Sequence, residues 1–246
     1  MRSIRLFAAT HLQAGQTVTL PATAAAHALR VLRLKSGDAV TLFNGDGHEY
    51  PARLVTAGAR DAHAEVMSQA SPVRESPLRV TLIQALARGE KMDWIIQKAT
   101  ELGVTRIVPV TTERSEVKLD AGRGEKRLDH WRAVATAACE QCGRNVLPAI
   151  ETPTGLSAWL ETSHAPEADL RWMLHPEGAA RVRDLPAISP AALDLAIGPE
   201  GGFGDNDLAA LRAQDFRELA LGPRILRTET AGVAAIAALQ ALHGDL

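Results

Sequence analysis

The chain has 246 residues, 46% of them hydrophobic and 23% charged, with a formal net charge of -2. This composition is typical of a globular protein with one large or two modest domains, and it excludes a disordered chain or a uniformly basic nucleic-acid binder. No apolar run reaches the roughly 20 residues that span a membrane, and residues 1–15 lack the pattern of a signal peptide. We therefore expect a cytoplasmic protein with no membrane partner.

The first 72 residues have the alternating pattern of short β-strands. Strands are predicted at 17–20, 39–43, 50–56 and 62–67, with one helix at 22–32. The segment Asn44-Gly45-Asp46-Gly47 predicts a hairpin turn, because Asn and Gly tolerate positive φ. These elements indicate a small β-barrel. A polar linker with two prolines follows at 71–77, which predicts one domain over 1–72 and a second over 73–246.

Beyond the linker, strands and helices alternate, as in an α/β domain. Strands are predicted at 78–82, 104–110, 170–174, 193–197 and 218–221, and helices at 90–102, 123–143, 205–214 and 229–243. Gly103 follows the first of these helices as a C-terminal cap. The last helix is apolar nearly all round, so we expect it to be buried on several sides, by the core and also by a partner subunit.

Two glycine-rich loops near the C-terminus are the most informative feature of the chain. Gly198-Pro199 and Gly222-Pro223 each follow a predicted strand and precede a helix. In α/β proteins this arrangement presents backbone N–H groups to a ligand at the carboxyl ends of the strands, although a plain turn has the same pattern. Neither loop matches a dinucleotide fingerprint or a phosphate loop, so a nicotinamide cofactor and a nucleotide phosphate site are disfavoured.

The second loop contains apolar residues between two cations, Arg224 and Arg227. An apolar wall with free backbone amides suits a flat, uncharged heterocycle such as adenine, and Arg227 could bind a phosphate or polarise a carbonyl oxygen. Thr228 is a candidate helix cap, and Thr230 a candidate ligand residue. The remaining motif, Cys139-x-x-Cys142, has no second cysteine pair; it favours two small helix residues, and no metal is implied.

Several charged residues are candidates for RNA contact, with a solvated charged face as the alternative. In the N-terminal part they are Arg2, Arg5, His27, Arg30, Arg33 and Lys35, and in the second domain Lys91 and Arg114. Glu140 and Arg144 supply further polar groups, although an exposed i,i+4 ion pair would explain them equally well.

The chain resembles the 16S ribosomal RNA (uracil-N3)-methyltransferase family of the SPOUT (trefoil-knot) superfamily. The resemblance covers nearly the full length and rests on segments within 27–38, 46–50, 91–103, 113–115, 140–144, 197–203 and 221–231. It implies an α/β fold with a C-terminal SPOUT trefoil-knot methyltransferase domain and an N-terminal PUA-like β-barrel that binds RNA. It also implies an obligate homodimer in which the partner completes each active site.

The resemblance further implies that S-adenosylmethionine binds in the knot loops, with the His175 region as a third wall. The implied cofactor residues are Leu174, His175, Ile197, Gly198, Pro199, Glu200, Gly201, Gly202, Leu221, Gly222, Arg224, Ile225, Leu226, Thr230 and Ala231.

The implied reaction is methylation of N3 of one uridine in small-subunit (16S) ribosomal RNA, position 1498 in the conventional rRNA numbering, with the assembled subunit as substrate. Arg227 or Arg144 is the candidate electrostatic partner, and Glu200, Glu229 or Glu140 the candidate base. The alternatives are a knotted methyltransferase of another RNA, for example one that methylates a ribose of transfer RNA, and a non-catalytic ribosome-assembly protein. No metal is expected in either case.

Overall fold

The computed structural model describes residues 4–57, 61–117, 121–162, 168–185 and 192–246. The chain divides into two compact units. The first comprises Met1–Glu75 and Thr136–Leu147, and the second Ser76–Ala135 and Pro148–Leu246. The sequence predicts a single boundary after residue 72 and does not predict that segment 136–147 belongs to the first unit. The reason is that residues 123–143 have one continuous helical pattern, which gives no sign of a boundary inside it.

The first unit is built on a curled five-stranded sheet. Its strands are β1 (Arg5–Phe7), β2 (Thr17–Thr19), β3 (Ala39–Phe43), β4 (Tyr50–Ala57) and β5 (Ala62–Val66), in the order β1-β3-β4-β5-β2. β3 and β4 pair antiparallel across the Asn-Gly turn, so the hairpin prediction is confirmed. β1, which pairs parallel with β3, was not predicted, because three residues are too few to carry a periodic signal.

The predicted helix at 22–32 has two parts. An α-helical turn, α1 (Ala22–Ala26), continues as a π-helical turn over His27–Val31. Arg33 follows with a φ of 55°, a conformation that non-glycine residues seldom adopt. Both π-turns and positive φ values concentrate at functional sites, so this surface is a candidate for one.

The second unit contains a parallel sheet with helices on both faces. Its main strands are β6 (Arg79–Ala85), β7 (Arg106–Thr111), β10 (Leu170–Leu174), β12 (Ala192–Ile197) and β13 (Arg217–Ala220), and shorter strands are β8 (Ala149–Ile150), β9 (Thr154–Gly155) and β11 (Ala180–Arg181). The helices are α2 (Lys91–Glu101), α3 (Ala121–Cys142), α4 (Leu156–Thr162), α5 (Asp205–Ala213) and α6 (Thr228–His243). In the described parts of the chain, no helix is both long and apolar enough to cross a membrane.

The strand order is β11-β13-β10-β12-β6-β7-β8, with β9 also on β7, and all these pairs are parallel. Successive residues of β6 face opposite layers: Leu82 packs in one core cluster with α2 and α6, and Ile83 in another with α4 and α5. The α/β class is therefore confirmed. β8, β9, β11 and α4 were not predicted, since each is too short for a clear period. Parallel pairing brings the carboxyl ends of all strands to one edge.

α6 packs against α2 and buries one stripe, which includes Ala235, Ile236 and Leu239. Val233 and Ala237, on its other side, are half-buried. Within one chain α6 is therefore covered on one face only. Near its end, the buried Gln240 donates to Leu102 O at 2.9 Å, beside the predicted cap Gly103, which has a φ of 84°.

Candidate functional site

The two glycine-rich loops lie at the carboxyl edge of the parallel sheet. The first, residues 198–204, follows β12, and the second, residues 221–227, follows β13. β10 lies between these two strands and pairs with both. Such an edge is where open α/β sheets bind ligands, because the loops there leave backbone groups without strand partners.

The first loop is a tight turn. A Cβ on Gly198 would lie 3.1 Å from Phe203 N, so a larger residue would force the loop apart. Gly202 has a φ of 70°, and its N–H donates to Pro199 O at 2.9 Å. Ile197 and Pro199 are buried, whereas Glu200, Gly201 and Gly202 are exposed. The turn therefore presents small residues and backbone to the outside.

The second loop is open and apolar. Gly222 has a φ of 150°, and a Cβ placed there would meet no heavy atom within 4 Å. Ile225 is 83% exposed and gives this loop an accessible apolar side chain. Arg224 and Arg227 are exposed as well, Leu221, Leu226 and Ala231 are half-buried, and Thr230 is exposed.

The His175 segment follows β10 at the same edge. Leu174 is in register with Leu219 of β13, and His175 N–H donates to Leu219 O at 3.1 Å. A Cβ on Gly178 would lie 3.0 Å from the backbone of Glu218 and Leu219, so only glycine allows this approach. The structure thus brings the three predicted cofactor segments to one edge of the sheet.

Lys91 at the start of α2 connects two of the candidate carboxylates. Its Nζ lies 2.8 Å from Glu200 Oε1 and 3.5 Å from Glu229 Oε2. Partial burial would raise the pKa of Glu200, but hydrogen bonds from Lys91 and from backbone N–H groups outweigh it and hold that pKa below its usual value. The pKa of Lys91 is raised, mainly by its hydrogen bond to Glu200. A carboxylate whose pKa is lowered is a weaker base than an ordinary glutamate.

We predict that Glu200→Gln leaves the pH dependence of kcat unchanged between about pH 5 and 9, because a carboxyl with a lowered pKa is ionised throughout that range. The Kd for S-adenosylmethionine should rise by about three- to tenfold, because the contact between Lys91 of α2 and residue 200 of the first loop becomes weaker. Calorimetric titration and a pH–rate profile check both points. Loss of the acidic limb of the profile, or a fall in kcat of about a thousandfold, would identify Glu200 as the base instead.

A third loop, which follows β7, is hydrogen-bonded to the first glycine-rich loop. Arg114 Nη1 donates to Gly201 O at 3.2 Å. The carboxylate of Asp207 accepts the N–H groups of Glu113 at 3.0 Å and Gly204 at 2.9 Å. Gly204 is the N-cap of α5. These contacts hold Glu113 and Arg114 beside the candidate site.

Glu140 and Arg144 belong to the first compact unit, in which their side chains have protein partners. Glu140 Oε1 accepts Phe7 N–H at 2.9 Å, and burial raises its pKa against that hydrogen bond and the charges of His27 and Arg5. Arg144 Nε donates to Glu75 at 2.8 Å, and its side chain is only 6% exposed. The interpretation of these residues as an exposed i,i+4 pair is wrong for Arg144, which is buried.

The predicted RNA contacts fall into three groups. His27, Arg30, Arg33 and Lys35 are exposed around the π-helical turn, while Arg2 lies outside the described residues. Arg5 is engaged in the protein: its guanidinium donates to Glu49 at 2.6 Å and lies 4.8 Å from the Phe43 ring centroid, which favours a structural role. Lys91 and Arg114 lie beside the first loop in the contacts described above.

Two residues of this edge were missed or misassigned from the sequence. α6 is capped by Arg227 without a side-chain hydrogen bond, so Thr228 is not the cap that we predicted. Its hydroxyl instead donates to Gly198 O at 2.6 Å. Gln84, at the end of β6, is completely buried and donates to Thr228 Oγ1 at 3.2 Å. The only signal for Gln84 in the sequence is a polar residue inside an apolar strand.

Comparisons with known proteins identify the class of this fold and site. Residues 74–240 match a family described as the RNA methyltransferase domain, and residues 20–67 match the RNA methyltransferase PUA domain. The C-terminal unit is thus a SPOUT methyltransferase domain, and the N-terminal unit is PUA-like.

Individual proteins are similar over the whole chain. Ribosomal RNA small subunit methyltransferase E from Buchnera aphidicola is 31% identical over 98% of this chain and 97% of its own length. The crystal structure of the Neisseria gonorrhoeae enzyme of that name, bound to S-adenosylmethionine, has a TM-score of 0.91 at 38% identity, over 100% of both chains. A methyltransferase candidate from Legionella pneumophila, solved with bound S-adenosylmethionine, has a TM-score of 0.95 at 39% identity, over 100% of both chains. The chain belongs to the ribosomal RNA small subunit methyltransferase E family.

Proposed function

We propose that this protein is an S-adenosylmethionine-dependent methyltransferase that modifies N3 of one uridine in small-subunit ribosomal RNA. The observation that carries the proposal is the meeting of loops 198–204 and 221–227 at one sheet edge, where Thr228 donates to Gly198 O. Membership of the family and the cofactor bound in the Neisseria and Legionella proteins support it.

The residues at this edge fit an adenosyl group. The free space around Gly222 and the exposed side chain of Ile225 offer an apolar contact for a purine ring, between the cations Arg224 and Arg227. We assign the cofactor to the backbone and side chains of loops 198–202 and 221–226, with Leu174 and His175 as a third wall and with Thr230 and Ala231 at the start of α6. When bound, S-adenosylmethionine supplies an electrophilic methyl group on its sulfonium.

The protein must make N3 of uracil nucleophilic, because at neutral pH this nitrogen carries a proton. Glu200 is a weak explanation as the base, because the hydrogen bond from Lys91 lowers the pKa of its carboxyl. We assign the larger part of the rate to Arg227, whose guanidinium would stabilise negative charge on the uracil oxygens, and to positioning of the base.

RNA is assigned to the exposed face of the first unit around His27, Arg30, Arg33 and Lys35. Exposed cations of this kind bind phosphates, and Val31, 66% exposed, adds an apolar contact. N3 lies on the pairing edge, so the target uridine must be unpaired or flipped out of its stack. Phosphate contacts of this kind recognise the shape of a folded RNA, so we propose the assembled small subunit, and not a short oligonucleotide, as the substrate. A cytoplasmic location is consistent with that substrate.

We also propose a homodimer. The outer side of α6 has half-buried apolar residues such as Val233 and Ala237, and Leu242 is 46% exposed. Trp94, on the adjacent helix α2, is 41% exposed. A second copy of the chain would cover this surface, and sedimentation at micromolar concentration tests the assignment.

Reverse-transcription mapping tests the function. Unmodified small subunits are incubated with the protein, with and without S-adenosylmethionine, because a methyl on N3 blocks pairing and stops the transcriptase. We expect one cofactor-dependent stop at a uridine, and mass spectrometry of that fragment identifies the product. Cofactor binding without a stop would favour ribose methylation or another RNA. Neither binding nor a stop would favour an assembly protein.

A further inference from the structure

Gln84 is a polar residue where the core would tolerate an apolar one. Gln84 is 0% exposed and lies at the carboxyl end of the central strand β6. Nε2 donates to Ala85 O at 2.9 Å and to Thr228 Oγ1 at 3.2 Å, whereas Oε1 is buried and has no hydrogen-bond partner among the described residues. A buried acceptor without a partner destabilises a fold, so the amide is a net gain only if its donor side does something that an apolar residue could not.

The donor side of Gln84 connects three separate elements. Thr228 Oγ1 accepts from Gln84 and donates its own proton to Gly198 O at 2.6 Å. Gly198 opens the first ligand loop, and Thr228 is the first residue of α6, directly after the second loop. One hydroxyl group thus holds both loops in register with the end of β6.

Close packing around this hydroxyl restricts the elements further. A Cβ on Gly232, one turn along α6, would lie 3.5 Å from Gln84 Oε1 and 3.6 Å from Ile197 Cγ1. α6 therefore packs close to the ends of β6 and β12, at a spacing where a Cβ on Gly232 would make ordinary van der Waals contact. A shift in the Gln84–Thr228–Gly198 contacts would move both loops, because the single hydroxyl of Thr228 connects them to β6.

We propose that Gln84 and Thr228 are positioning residues that set the separation of the two cofactor loops. This inference rests on the proposed function, since it assigns S-adenosylmethionine to those loops. Neither side chain needs to touch the cofactor, because Thr228 acts through the backbone of Gly198 and Gln84 acts through Thr228.

Thr228→Val and Thr228→Ser form a matched pair for the test. Valine keeps the shape of threonine and removes the hydroxyl, whereas serine keeps the hydroxyl and removes the methyl group. We expect Thr228→Val to raise the calorimetric Kd for S-adenosylmethionine by about tenfold or more, and Thr228→Ser to remain within about threefold of the wild type. Gln84→Met, of similar length, should weaken binding in the same direction as valine.

Thr100→Val controls for the loss of a buried hydroxyl as such. Thr100 is 0% exposed, and its Oγ1 donates to Ile96 O at 2.7 Å within α2, away from both loops. The Thr100→Val variant should lower the melting temperature about as much as Thr228→Val does, and it should leave the Kd for S-adenosylmethionine unchanged. Equal Kd values for Thr228→Val and the wild type would overturn the inference, as would equal weakening by the serine and valine variants. A wild type that binds no cofactor would instead overturn the proposed function, and the inference with it.

Discussion

Replacing Arg227 with alanine is expected to lower kcat by about 100- to 1,000-fold, the range seen when one group that stabilises developing charge is removed. Arg227 is the last residue of the second loop, directly before α6, and is exposed; within the described part of the chain its guanidinium takes part in no ion pair. An exposed cation at the candidate ligand edge, with no ion pair among the described residues, fits the role that we assign to Arg227 toward the uracil oxygens. The Kd for S-adenosylmethionine should change by less than about threefold, because the proposed contact is with the RNA base.

Arg224→Ala is the matched control for this prediction. Arg224 is an exposed arginine of the same loop, so its removal changes the loop charge equally. We expect it to change kcat by less than about tenfold. Single-turnover methylation of small subunits measures both variants, and calorimetry measures the cofactor Kd. Equal losses of kcat in the two variants would show a general electrostatic effect and remove Arg227 from its assigned role.

Replacing Glu75 with alanine is expected to destabilise the first unit by about 3 kcal/mol, since a largely buried arginine loses its carboxylate. The carboxylate of Glu75 accepts Arg144 Nε at 2.8 Å and the N–H groups of Asn145 at 2.9 Å and Val146 at 3.0 Å. It therefore holds segment 144–146, which follows α3. For a chain of this size the melting temperature should fall by about 6–12 °C, as differential scanning calorimetry would measure.

Arg74→Ala tests whether this effect is specific. Arg74 is the preceding residue, and its half-exposed side chain pairs with Glu49 at 3.3 Å. An exposed pair contributes about 0–1 kcal/mol, so the melting temperature should change by no more than about 4 °C. A similar shift for both variants would mean that Glu75 contributes no more than a surface charge, and Arg144 would then remain a candidate for catalysis.

The local pattern of the sequence was enough for the long elements. Strand 39–43, strand 170–174 and the helix beginning near residue 90 were predicted to within a few residues, because each carries enough periodic positions to bury one face. Gly198 and Gly222 marked the ligand loops, since a tight turn and an open positive-φ position require glycine. Periodicity alone did not identify the reaction, which came from the resemblance to a family.

The sequence by itself therefore determined the α/β class, the two glycine loops and the candidate cofactor edge. Only the tertiary structure decided which polar groups meet. It paired Lys91 with both Glu200 and Glu229, buried Arg144 against Glu75, and assigned the Thr228 hydroxyl to Gly198 O instead of a helix cap. The partners in these contacts are 30 to 138 positions apart, from Thr228 with Gly198 to Lys91 with Glu229. Periodic patterns report only which face of an element is buried, whereas hydrogen bonds and ion pairs depend on how distant elements are packed.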